Sequence, residues 1–290
     1  MIIHFFRKRI SERLDYAELL DEYFSSIPNC TISSNDDLVD IAILEPSFDF
    51  TYHYQITNRT RVPNMYRLNS DYVNTNILID VPANLPKFLI RRMLQSVDEL
   101  CKRFDLFIYH TYEKDITEFN MFNLLADIAR EQHDNINNDN KNHYYMEQDK
   151  LMTACSYLGI MKAISEVMTS DAMILPYDVL YDKETDKVVL SVTWQVGAPT
   201  VFPPILDYVY VEEEGNLLSV IPAEIFFKYS KKFMHEIAKD KRIDYGVDMD
   251  LLYLNEKNAL KAKKQVKKMR KSMVGTSRFT ALKITDVLEK

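Results

Sequence analysis

The sequence predicts an α+β protein, and three observations carry that expectation. Short apolar runs with a period of two alternate with longer stretches whose apolar residues recur every three or four positions. The 290 residues include 15 Phe and 18 Tyr and are 47% hydrophobic, which is the composition of packed cores and not of disorder. Glycine is scarce: five occur, where average usage of about 7% gives roughly twenty. Glycine lets a backbone approach a phosphate or take positive φ. A dinucleotide-binding fingerprint, a P-loop and a kinase Gly-rich loop each need clustered glycines. Gly159, Gly197, Gly215, Gly246 and Gly275 are isolated, so those nucleotide-binding classes are excluded.

The N-terminal part, residues 1–131, reads as a mixed sheet flanked by helices. Residues 2–6 form a short buried strand. Ile10, Leu14, Leu19, Leu20, Tyr23 and Phe24 then fall on one helical face. Residues 40–44 and 48–56 read as paired strands. The second alternates Phe48, Phe50, Tyr52, Tyr54 and Ile56 with polar residues, the pattern of a sheet with one exposed face. A strand at 77–81 precedes an N-cap candidate at Asn84, with Pro86 just inside the following helix. A strand at 104–109 follows. Asp115 and Glu118 have capping-box spacing ahead of a helix through Phe119, Phe122, Leu125 and Ile128.

Residues 132–145 hold the run QHDNINNDNKN and read as a polar, Asn-rich linker or loop. Residues 146–290 read as a second α+β domain. A helix over 146–168 leads into two hairpins, turning at 182–186 and 212–216, which predict an antiparallel meander with Pro203-Pro204 in its middle connection. A helix over 222–238, a strand at 249–254, a helix over 255–273 and a strand at 279–284 follow. The last three make a terminal βαβ unit.

Patterns that carry chemistry are few in this sequence. The six histidines lack His-x-His or His-x-x-x-His spacing, and His235-Glu236 is followed by Lys239 where a zincin has its second His. His133-Asp134 has the form of the pair in HD-type phosphohydrolases, but it lies at the polar end of a helix and reads as an exposed terminus. Asp139-Asn140-Lys141 has nuclease-like spacing inside the polar loop and reads as accidental. Gly-x-Ser-x-Gly and Ser-x-x-Lys are absent. Asp248 and Asp250, at i and i+2, point the same way if they lie on a strand. They are the metal ligands of an alternative reading, a metal-dependent enzyme whose site is assembled from distant carboxylates. No cofactor and no metal are expected.

Charge is uneven along the chain. Residues 1–254 hold 25 Lys/Arg and 40 Asp/Glu, a net of −15, whereas residues 255–290 hold 11 and 3, a net of +8. Eight basic and no acidic residues lie from Lys257 to Lys271, while Ala259, Ala262, Val266, Met269 and Met273 form a narrow apolar seam. Three readings follow: a crossover helix with solvated lysines, a nucleic-acid contact, and a dock for an acidic protein. A membrane surface fits poorly, because the seam lacks Trp, Phe and Leu. The stretch 194–210 adds Trp194, Phe202 and Tyr208, residue types that pack hairpins or anchor interfaces.

The leading expectation is a non-catalytic protein-binding or adaptor protein. Its binding residues are Lys263, Lys264, Lys267, Lys268, Arg270, Lys271, Trp194, Phe202 and Tyr208. Nucleic acid is the alternative partner. The odd, scattered Cys30, Cys101 and Cys155, with no signal-like N-terminus, lead to an expected cytoplasmic location.

Overall fold

Period-two burial builds the first sheet. Strands β1 (Ile2–Lys8), β2 (Cys30–Ser34), β3 (Leu38–Glu45), β4 (Phe50–Thr57), β5 (Tyr72–Asp80) and β6 (Phe107–Tyr109) line up in the order β2-β3-β4-β5-β1-β6. Ile41, Ile43, Tyr52, Tyr54, Ile77 and Ile79 turn inward, and His53 and Thr51 turn outward, as the alternation requires. The inward face meets helix α1 (Lys87–Phe104) through Ile90, Met93, Leu94, Val97 and Leu100, and helix α2 (Met121–Asn138) through Leu124 and Ile128. By the same alternation Ile3 and Phe5 enter this core, while Phe6 enters a smaller one with Val62, Phe107, Tyr109 and Ile116 on the opposite face.

Every neighbouring pair of strands in this sheet is antiparallel, where a mixed sheet is expected from the sequence. Helix α1 does join two strands that run in the same direction, β5 and β6. Strand β1 lies between them and is antiparallel to both, so no parallel pair forms. Three local expectations also change. Residues 10–24 form a helical turn at Glu18–Tyr23 and a 3₁₀ turn at Phe24–Ser26 in place of one long helix. The cap of α2 is Asn120, whose Oδ1 accepts from the Asn123 amide at 3.1 Å. Asp115 instead accepts from the amides of Asn69 (2.9 Å) and Ile116 (2.8 Å). Much of the expected 132–145 linker is helical, because α2 continues to Asn138.

The computed structural model describes residues 1–138, 143–168, 171–213, 217–237 and 251–290. The chain divides into two units, Met1–Lys141 and Asn142–Lys290.

The second unit contains β7 (Tyr144–Met146), α3 (Gln148–Val167), β8 (Met173–Ile174), β9 (Asp178–Asp182), β10 (Lys187–Gln195), β11 (Thr200–Phe202), β12 (Tyr208–Glu213) and β13 (Leu217–Pro222). It continues with α4 (Ala223–Ser230), β14 (His235–Glu236), β15 (Leu252–Leu254), α5 (Glu256–Met269), β16 (Phe279–Leu282) and β17 (Val287–Glu289). One sheet has the order β13-β12-β10-β9-β16, a second β14-β15-β11-β8, and β17 pairs with β7. The two predicted hairpins form as antiparallel pairs β9–β10 and β12–β13. Strand β12 runs parallel to β10, so the four strands are not a simple meander. After β10 the chain leaves for β11 in the second sheet and returns beside the middle of β10, where Tyr208 pairs with Ser191, which fixes the parallel direction. The terminal βαβ unit is likewise divided: β15 pairs with β11 and β14, whereas β16 pairs with β9. Both sheets and helices α4 and α5 enclose one core holding Trp194, Phe202, Val211, Ile221, Phe226, Leu254 and Val266. The class is α+β throughout.

Candidate functional site

Helix α5 starts where Asn255, in extended conformation, accepts a hydrogen bond from the Asn258 amide at 2.9 Å through its side-chain Oδ1. Glu256 sits in the first turn and Lys267 and Lys268 in the last, each on the end of the helix dipole that favours it. Ala259, Ala262, Val266 and Met269 are fully buried, and Met273 packs against the same core. Burying Val266 and Met269 contributes roughly 1.5–3 kcal/mol each. The seam is therefore used up in packing, and it holds the helix in one orientation.

That orientation sorts the cations. Lys257, Lys261, Lys264 and Lys268 are exposed and spaced 4, 3 and 4, so they form one stripe opposite the seam, about 16 Å long at 1.5 Å per residue. Lys257, Lys264, Lys267, Lys268 and Lys271 make no ion pair with the described residues, and Lys261 donates to Asn258 Oδ1 at 3.3 Å. Lys263 and Arg270 lie nearer the body. A Cβ placed on Gly197, whose φ is +96°, would stand 3.3 Å from Cδ of Lys263, so the lysine stem covers that glycine. Arg270 reaches Glu213 at 3.5 Å. All six predicted cations are exposed; Lys263 and Arg270 also contact the body, and Lys257 and Lys261 join the outward stripe.

The aromatic residues expected at a binding surface are placed otherwise. Trp194 and Phe202 have no exposed area. Each ring lies 5.4 Å from that of Phe226, and Trp194 Nε1 donates to the Ala198 carbonyl at 3.1 Å. Strands β10 and β11 turn them both into the core, which removes them from any interface. Tyr208 is half-buried; its ring lies 4.8 Å from Phe279 and its hydroxyl accepts from Arg278 at 3.2 Å. Asp248 and Asp250 lie outside the described residues, as do Asp139, Asn140 and Lys141. His133 is exposed on α2, 3.8 Å from Asp134. Cys101 and Cys155 are buried thiols pushed up to about 12 by desolvation, and Cys30 is half-buried.

The first unit carries two features that sequence reasoning misses. Arg7, Lys8, Arg9, Arg13, Tyr16 and Thr75 line a groove of about 590 Å³, and Nε of Arg7 is buried there without an acceptor. The run of cations was the available signal, since four of them fall within seven residues of an acidic chain. The second feature is a cluster of His110, Glu113 and Asp127. Its signal was faint, because Asp127 is distant in sequence and reaches the other two from the middle of α2.

The chain matches no protein-family model, no curated protein and no solved structure. No helix among the described residues is long and apolar enough to cross a membrane.

Proposed function

We propose that the protein is a non-catalytic cytoplasmic binding protein that recognises an acidic protein surface through the lysine stripe of α5. The observation that carries this reading is the separation of the two helix faces. The apolar seam is wholly buried, while Lys257, Lys261, Lys264 and Lys268 face outward together. A crossover helix within one sheet would account for the same sequence pattern, but β15 and β16 belong to different sheets. The packed helix holds the four lysines in one row, and such rows of charge steer and select oppositely charged partners.

Protein is favoured over nucleic acid by the charge of the rest of the chain. Residues 1–254 carry a net −15, which repels an extended polyanion more than it repels a compact acidic patch. The test is affinity purification at low salt with the full chain and with Lys257→Gln/Lys261→Gln/Lys264→Gln/Lys268→Gln. An acidic protein retained by the first, lost from the second and rebinding as a purified component supports the reading. Loss of nucleic acid in its place transfers the stripe to a nucleic-acid contact, and identical eluates remove the stripe from function.

A further inference from the structure

The end of β6 and the middle of α2 bring together a buried imidazole and two carboxylates. Nε2 of His110 lies 4.0 Å from Oε1 of Glu113 and 3.9 Å from Oδ2 of Asp127. The three ligand atoms all lie within 4.8 Å of one another. These separations exceed hydrogen-bond length. The His110 side chain is 1% exposed, and its Nδ1 is buried with no hydrogen-bond partner. Nε2 thus faces both carboxylates from an almost fully buried ring without a hydrogen bond to either.

We infer that His110, Glu113 and Asp127 bind a divalent first-row transition cation. Bond lengths near 2.1 Å put tetrahedral ligand atoms about 3.4 Å apart, so the cluster closes on an ion with shifts of about half an ångström. One imidazole with two carboxylates suits Mn²⁺, Fe²⁺ or Zn²⁺; Mg²⁺ and Ca²⁺ prefer all-oxygen shells. Nearby cations leave the ligand atoms uncovered. Arg130 pairs with Oδ1 of Asp127 at 3.4 Å, the oxygen other than the one facing His110, and the Met1 amino group lies 3.2 Å from Glu131. Three protein ligands leave the remaining coordination positions to water. Glu113 and Asp127 keep 26% and 14% of their side chains exposed, which supplies a route for entry.

The test is calorimetric titration of the metal-free full chain with Mn²⁺ and, separately, Zn²⁺, alongside thermal melts and the electron paramagnetic resonance spectrum of bound Mn²⁺. One ion per chain is expected, with a raised melting temperature. Affinity should fall at least tenfold in Asp127→Asn and in Glu113→Gln. Glu113→Gln alters a partly exposed side chain and serves if Asp127→Asn fails to fold. No binding of either ion, or equal binding by wild type and the Glu113→Gln chain, would overturn the assignment.

Discussion

Arg278 grips Asp182 from across the β9–β16 pair, with Nε on Oδ1 at 2.6 Å and Nη2 on Oδ2 at 2.5 Å. Asp182 is buried and also holds its own hairpin turn, accepting from the Glu184 amide at 3.1 Å and from the Thr185 hydroxyl at 2.7 Å. Arg278 reaches Glu184 and Tyr208 as well. One carboxylate therefore joins the edge strand to the sheet and fixes the adjacent turn. Replacing Arg278 with Met leaves that carboxylate buried and unpaired. The expected loss is roughly 3–5 kcal/mol in urea unfolding, and an unchanged midpoint would contradict the clamp.

The same pair predicts an acid limb. Hydrogen bonds from Arg278 depress the Asp182 carboxyl from 3.8 to about 2. A group with a lowered folded-state pKa stabilises the fold fully above its unfolded value and loses that contribution as pH falls through the folded value. The stability gap between wild type and Asp182→Asn should therefore be constant above pH ~4 and shrink as pH falls from about 4 to 2. Urea unfolding at a series of pH values measures it.

Packing of α5 makes a third prediction. Met269→Ala opens a cavity in a fully buried seam and should cost about 2–5 kcal/mol. Leu260→Ala, on the same helix but 52% exposed, should change stability by less than about 0.5 kcal/mol. Equal effects would mean that the seam does not hold the helix.

Gly197 makes a fourth. Its φ of +96° suits no side chain, and Lys263 leaves no room for a Cβ without moving. Gly197→Ala should destabilise by more than about 1 kcal/mol, and thermal unfolding reads the change. Lys263→Ala in the same background should relieve the contact but not the backbone strain, so part of the loss should persist.

Helix α5 was legible because its signals are local. Asn255 caps it, and the 3-4-3-4 seam fixes which side is buried. Strand β4 was legible for the same reason, through Tyr52 and Tyr54 alternating with Thr51 and His53. The direction of β12 was not, because it depends on an excursion through β11 that no periodicity records. Asp115 has capping-box spacing yet serves Asn69, a residue 46 positions away. Trp194 and Phe202 have the composition of an interface and the positions of a core, and only the alternation of β10 and β11 with their sheet neighbours decides between them. His110 and Asp127 meet only because the edge strand β6 ends beside α2.

The most direct measurement is the salt dependence of binding between the full chain and a Glu-rich peptide of fixed length, compared with duplex DNA of matched charge and repeated with the Lys257→Gln/Lys261→Gln/Lys264→Gln/Lys268→Gln chain. The account predicts that wild type binds the acidic peptide more tightly than the DNA, and that the fourfold variant loses at least tenfold in affinity with no change in melting temperature. Tighter binding of the DNA, or peptide binding that the four substitutions leave intact, would contradict it.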